Sequence, residues 1–186
     1  MRRTCATTQV ARSPSSTSER FACVEGVGSP VAVLGVMPRS IERILVPHDF
    51  SETADAALAM ALDLAEKMRA RVTILHTYEV PTYVFPESVV ATADLVGQIR
   101  GAAEEALAAL KERTQRSGVQ VDTLLRQGVA WSEIDRAAKE LKTDLVVMGT
   151  HGRRGVSRAL IGSVAEKVVR TASCPVLTVH GPAQGP

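Results

Sequence analysis

The sequence predicts an α/β protein built on one doubly wound parallel sheet with helices on both faces. Three observations carry this. Short apolar runs recur between residues 41 and 179, closed by glycine, proline or polar residues. Longer stretches lie between them, with apolar residues at helical spacing. Most of the short runs are apolar throughout, as in strands buried on both faces. The order β-α-β-α-β-α-β-α-β then implies right-handed crossovers and a ligand site beyond the carboxyl ends of the strands.

Taken in order, Ile41 to Val46 reads as the first strand, ended by Pro47, with His48, Asp49 and Phe50 at its carboxyl end. Ser51 is a good N-cap with Glu52 in the first turn, and Ala54, Leu58, Ala61, Leu62, Ala65 and Met68 form an apolar helix face. Arg71 to Thr77 is the second strand. A loop is expected from Glu79 to about Ala93, with Tyr78, Tyr83 and Phe85 in or beside it as a lid, a wall or plain surface. A second helix runs from about Asp94 to Arg116 and is stopped by Ser117-Gly118. Val119 to Leu125 is the third strand, and Trp131, Ile134, Ala137, Ala138 and Leu141 mark the third helix. Leu145 to Met148 forms the fourth strand, closed by Gly149, and Val164, Ala165, Val168, Val169 and Ala172 form one face of the fourth helix. Cys174 to Val179 is the fifth strand.

Residues 1–38 differ in kind. They are rich in Ser, Thr and Arg and carry no periodic apolar pattern, so they read as an extension with little ordered structure before Arg39. A transit peptide or a start at Met37 are the other readings of this segment. A single domain is expected over residues 39–181, with a tail at 182–186.

Composition narrows the function. A net charge of +2 among 23% charged residues gives no concentrated basic face for nucleic acid. No apolar run approaches the roughly 18 residues of a membrane span. Cys5, Cys23 and Cys174 form an odd set without metal spacing, which fits a reducing, cytoplasmic setting. His48, His76 and His151 stand at or just past three strand ends, yet no paired His spacing supports a transition-metal site.

The chemistry concentrates in Asp144 to Val169, a strand, a glycine- and arginine-rich loop and a helix start. Unpaired N–H groups and the helix dipole favour an anion at such a start, and glycine lets the backbone approach it closely. Ser163 can cap the helix or offer its hydroxyl to a phosphate oxygen. Neither GxxxxGK[ST] nor GxGxxG is present. The spacing instead is Gly149-x-x-Gly152, nine residues, then Gly162-Ser163.

That spacing resembles the nucleotide-binding signature of the universal stress protein family, in its ATP-binding branch. The resemblance extends over Arg39 to Val179: ILVPHDFSETA looks like the family's opening strand and turn, DLVVMGTHGRRG like its fourth strand and loop, and SCPVLTV like its last strand. It implies an adenine-nucleotide-hydrolase-like fold with strand order 3-2-1-4-5, which would set Asp49 across a crevice from the Gly149–Ser163 loop. It also implies that Asp49 holds the ribose, that Pro47 and Thr77 line the adenine pocket, and that Gly149, Gly152, Gly162, Ser163 and the Val164 amide meet the phosphates. Arg153 is a further phosphate partner, and Mg2+ would be held chiefly by the phosphates. Met148 is placed beside the adenine or in the core. The family's usual state is a homodimer through the fifth strand.

ATP binding with little or no hydrolysis follows, because no residue is placed as a catalytic base for phosphoryl transfer. An ATP pyrophosphatase or adenylating ligase would carry a Ser-Gly-Gly-rich loop where Pro47-His48-Asp49-Phe50-Ser51 stands. A phospho-receiver domain would need an aspartate where Arg126-Gln127-Gly128 ends the third strand. A branch without nucleotide, acting through partners alone, is the remaining alternative.

Overall fold

The computed structural model describes residues 22–23, 32–34, 40–80, 89–114, 118–150 and 162–180. Its strands are β1 (Ala22–Cys23), β2 (Ala32–Leu34), β3 (Arg43–Pro47), β4 (Arg71–Tyr78), β5 (Val121–Gln127), β6 (Leu145–Gly149) and β7 (Val176–Val179). Its helices are α1 (Glu52–Met68), α2 (Val89–Thr114), α3 (Ala130–Glu140) and α4 (Ser163–Thr171). The sheet order is β1-β2-β7-β6-β3-β4-β5. Its last five members, β7-β6-β3-β4-β5, are all parallel and give the order 3-2-1-4-5 that the resemblance implied, written from the opposite edge.

The sheet divides the core in two. On one face Ile44, Val46, Val72, Ile74, Leu145 and Val147 pack with Leu58, Leu62 and Ala65 of α1 and Leu107 and Leu110 of α2. On the other, Leu45, Leu75, Val146 and Met148 pack with Ile134 and Ala138 of α3 and Ala165 and Val168 of α4. Successive strand side chains point to opposite faces, so both sets must be apolar. With aromatics only 3% of the sequence, these layers are mostly aliphatic.

Two features depart from expectation. Ala22–Cys23 and Ala32–Leu34, in the extension expected to lack ordered structure, form short strands: β2 lies antiparallel on β7, and β1 on β2. The pairing is with a segment more than a hundred residues distant, so no local periodicity announces it. The second helix begins at Val89 rather than near Asp94, because Val-Val-Ala-Thr-Ala contains nothing that would stop a helix. Most of the expected loop, 81–88 with Tyr83 and Phe85, lies outside the described residues, and Tyr78 ends β4.

At the lower end of the sheet a carboxylate fastens two strands together. Asp144 Oδ2 accepts from the backbone N–H groups of Glu42 and Arg43 and from Arg43 Nε, while Oδ1 accepts from Arg43 Nη2. The Asp144 amide donates back to the Arg43 carbonyl. Partial burial pushes this carboxyl's pKa up, but the Arg43 guanidinium and the two amides outweigh it and hold it below the usual range.

Candidate functional site

The middle of the sheet opens upward. β3 and β4 stay paired over five residues, from Arg43↔Arg71 to Pro47↔Leu75. β3 and β6 pair only at Ile44↔Leu145 and Leu45↔Val146. Beyond that point the two strands have no ladder between them, at the place where the chain's crossovers reverse direction. In open α/β sheets this is where ligands bind.

One wall is the turn from β3 into α1. The His48 amide continues the ladder by donating to the Leu75 carbonyl at 2.8 Å. Its Nδ1 accepts from the Phe50 N–H at 3.1 Å, and its carbonyl lies 2.7 Å from His76 Nδ1. His76 must therefore carry its proton on Nδ1 for that contact to be a hydrogen bond. Phe50 takes φ +62°, a conformation that bulky residues seldom adopt. Its ring packs against both imidazoles, with centroids 5.5 Å from His48 and 4.5 Å from His76.

His48 is almost wholly buried, and its Nε2 faces Asp55 Oδ1 at 3.4 Å. Burial lowers its pKa and outweighs the opposing pull of Asp55 and Asp49. A cavity of about 360 Å³ adjoins this ring, lined by His48, Phe50, Asp55, Ala109, Leu110 and Arg113 among others.

Asp49 is fixed by the helix start. Its Oδ1 accepts from the Ser51 N–H at 3.2 Å and from Ser51 Oγ at 2.6 Å. Ser51 is the N-cap, and its Oγ in turn accepts from the Ala54 N–H. Asp49 thus supports the cap rather than serving as the cap itself.

The other wall is the end of β6 and the start of α4. A Cβ on Gly149 would lie 2.9 Å from Thr53 Cγ2 and 3.1 Å from the Thr53 carbonyl carbon and oxygen. The first turn of α1 therefore rests on the end of β6. Thr150, almost fully buried, donates its N–H to the Val179 carbonyl and accepts from the Gly162 N–H at 2.7 Å. That last bond brings together the residues on either side of 151–161.

Gly162, not Ser163, is the N-cap of α4, and no side chain caps this helix. The Ser163 hydroxyl is thus not used in capping, and Ser163 and Val164 are exposed. The first amides of a helix have no intrahelical acceptor, so this end presents donors.

Pro47 ends β3 and Thr77 is the last residue but one of the neighbouring β4, both half-buried. Met148 is buried in the α3/α4 layer. Gly152, Arg153 and His151 lie outside the described residues. The described residues therefore gather Pro47, Asp49, Thr77, Gly149, Gly162, Ser163 and Val164 along the upper rim of β4, β3 and β6. The His48–Phe50–His76 cluster that braces the Asp49 turn escaped sequence reading, which weighed these histidines only as metal ligands. Among the described residues no group of three His, Cys, Asp or Glu side chains is placed to hold a metal ion.

A five-stranded parallel sheet of order 3-2-1-4-5, with an acidic turn after β3 and a glycine-capped helix following β6, defines a doubly wound α/β protein. Residues 40–180 match the model of the Universal stress protein family. The chain belongs to that family. It is 34% identical over 143 residues to a universal stress protein of Methanocaldococcus jannaschii, covering 76% of this chain and 83% of that protein. Among solved structures it resembles UspA from Lactobacillus plantarum, with TM-score 0.67 and 27% identity over 76% of this chain and 99% of that one. It also resembles a universal stress protein in complex with cAMP, with TM-score 0.50 and 25% identity over 77% of this chain and 99% of that one.

Proposed function

We propose that this universal stress protein binds ATP in the crevice between β3 and β6 and acts as a nucleotide-dependent regulator in the cytoplasm, with little or no hydrolysis. The observation that carries this reading is the contact of Gly149 with Thr53, which sets the Asp49 turn against the strand leading to the Gly162 helix start. A relative solved with cAMP supports an adenine nucleotide as the ligand class.

In this reading the Asp49 carboxylate accepts from the ribose hydroxyls, and Pro47 and Thr77 flank the base. The amides of Ser163 and Val164, the Ser163 hydroxyl, Gly149, Gly152, Gly162 and Arg153 receive the phosphates. Hydrogen bonds to charged groups contribute about 1.5–3 kcal/mol each, so a few such contacts are enough for the roughly 8 kcal/mol of micromolar binding. Mg2+ enters with the phosphates, since this ion needs few protein ligands when phosphate oxygens are available. A homodimer through β7 belongs to the same reading and is conditional on where β2 lies.

Calorimetric titration with ATP, with and without Mg2+, tests the proposal, followed by an assay for released ADP. Saturable binding that is lost in Gly162→Val and Asp49→Ala is expected. Unchanged affinity in both variants would remove the crevice assignment, and steady multiple turnover would favour an enzyme of the same fold.

A further inference from the structure

Consecutive residues after β3 serve different neighbours. Asp49 holds the Ser51 cap, whereas the His48 ring lines the cavity of about 360 Å³ whose other walls come from Phe50, α1 and α2. None of the residues around that cavity is among those assigned to the nucleotide. The contacts of the ring fix its tautomer. Nδ1 accepts from the Phe50 N–H at 3.1 Å, so in the neutral ring the proton sits on Nε2. Burial lowers the ring's pKa and so favours that neutral form. The side chain is only 1% exposed, and among the described residues nothing accepts a hydrogen bond from Nε2. Asp55 Oδ1 lies 3.4 Å away, with a geometry that falls short of one. A buried donor without an acceptor is rare and costly.

We infer that this cavity is a second ligand site, for an uncharged alcohol or phenol with a compact apolar body, whose hydroxyl accepts from His48 Nε2 and donates to Asp55. The polar groups select that chemistry. Asp55 and Arg113 pair across 3.5 Å, both exposed, so their opposite charges offset each other at the mouth. A carboxylate entering beside them would oppose Asp55, and an ammonium would meet only donors at His48 and Arg113. A hydroxyl both accepts and donates, which suits a donor and a carboxylate side by side. Phe50 and Leu110 supply apolar walls, and the small side chain of Ala106 leaves room for the ligand's body. The volume is at the low end of the roughly 300–1,000 Å³ of small-molecule pockets, which suits a single ring. This inference does not depend on nucleotide binding.

The test titrates the full-length, nitrogen-15-labelled protein with phenol, toluene and benzoate and follows two-dimensional NMR spectra. Phenol should shift the Phe50 and Ala106 amides and the His48 ring nitrogens saturably, at one site. Toluene, without the hydroxyl, and benzoate, with a charge, should bind about tenfold more weakly, the size of one lost hydrogen bond. His48→Asn keeps an acceptor for the Phe50 N–H but is too short to place a donor where Nε2 stands. It should bring phenol down to the level of toluene. Ala106→Leu fills the cavity and should abolish the shifts. ATP should leave the phenol signals in place. Absence of a saturable phenol shift would leave the cavity to water alone and overturn the inference. Toluene matching phenol, unchanged phenol affinity in either variant, or displacement by ATP would do the same. The toluene comparison is made on the unaltered chain, so it decides the matter even where a variant fails to fold.

Discussion

Gly149 stands against Thr53 so closely that a methyl group on it would meet the Thr53 main chain at 3.1 Å. This approach seats the first turn of α1 on the end of β6. Gly149→Ala should therefore be costly, because the threonine methyl can rotate away but the helix backbone cannot. Overpacking of this kind costs about 1–3 kcal/mol. The loss should appear in urea denaturation and be accompanied by weaker ATP binding. Wild-type stability in Gly149→Ala would show that the two units yield freely.

The Ser51 cap allows the two roles of the Asp49 turn to be separated. Ser51→Ala removes the acceptor for the Ala54 N–H and the hydroxyl that anchors Asp49. Losing such a cap costs about 0.5–2 kcal/mol. Asp49→Asn, in contrast, keeps an oxygen that can accept from Ser51 and should cost less stability but more nucleotide affinity. Thermal melts and titrations of both variants would show this crossing pattern, and equal losses on both scales would contradict it.

Acid should weaken the fold through His48. Burial lowers its pKa in the native state below the ordinary value of about 6.5, so the unfolded chain binds the extra proton more readily. Stability contributed by this residue is present above about pH 6.5 and is lost as pH falls toward the lowered native value. A protonated ring also gives up the Nδ1 lone pair that accepts from Phe50. Denaturant midpoints measured between pH 7.5 and 5.5 should fall more in the parent than in His48→Asn. Parallel decline in the two proteins would assign the effect to other groups.

Cys174 should be a sluggish thiol. Burial, with the nearby Asp144 charge adding to it, pushes its pKa up to about 11, so little thiolate is present near neutrality. Alkylation at pH 8 should be much slower at Cys174 than at an unperturbed thiol of pKa about 8.5, and should accelerate on unfolding in urea. Peptide mapping after timed labelling would locate the adduct.

The five parallel strands were legible in the alternation of elements, and their order 3-2-1-4-5 came with the family resemblance that the spaced motif carried. The reasons behind individual residues were less so. Gly149 reads in the sequence as an approach for phosphate, and its contact with Thr53 exists only once β6 lies beside β3. A Gly162-Ser163 pair leaves either residue free to cap, and the fold selects the glycine. The positive φ of Phe50 runs against its side chain, and its N–H donates to His48 Nδ1, so no local rule finds it. Asp144 reads as an ordinary strand-start acid, since its partners Glu42 and Arg43 lie about a hundred positions away. β2 was missed for the same reason, three apolar residues in a polar tail having no signal without β7 beside them.

The Asp144 clasp gives the central strands a fulcrum. Bound at their lower ends by one carboxylate and unzipped above Leu45, β3 and β6 behave like the legs of a pair of dividers. The two strands are thus tied to each other at the end of the sheet opposite the Gly149 rim.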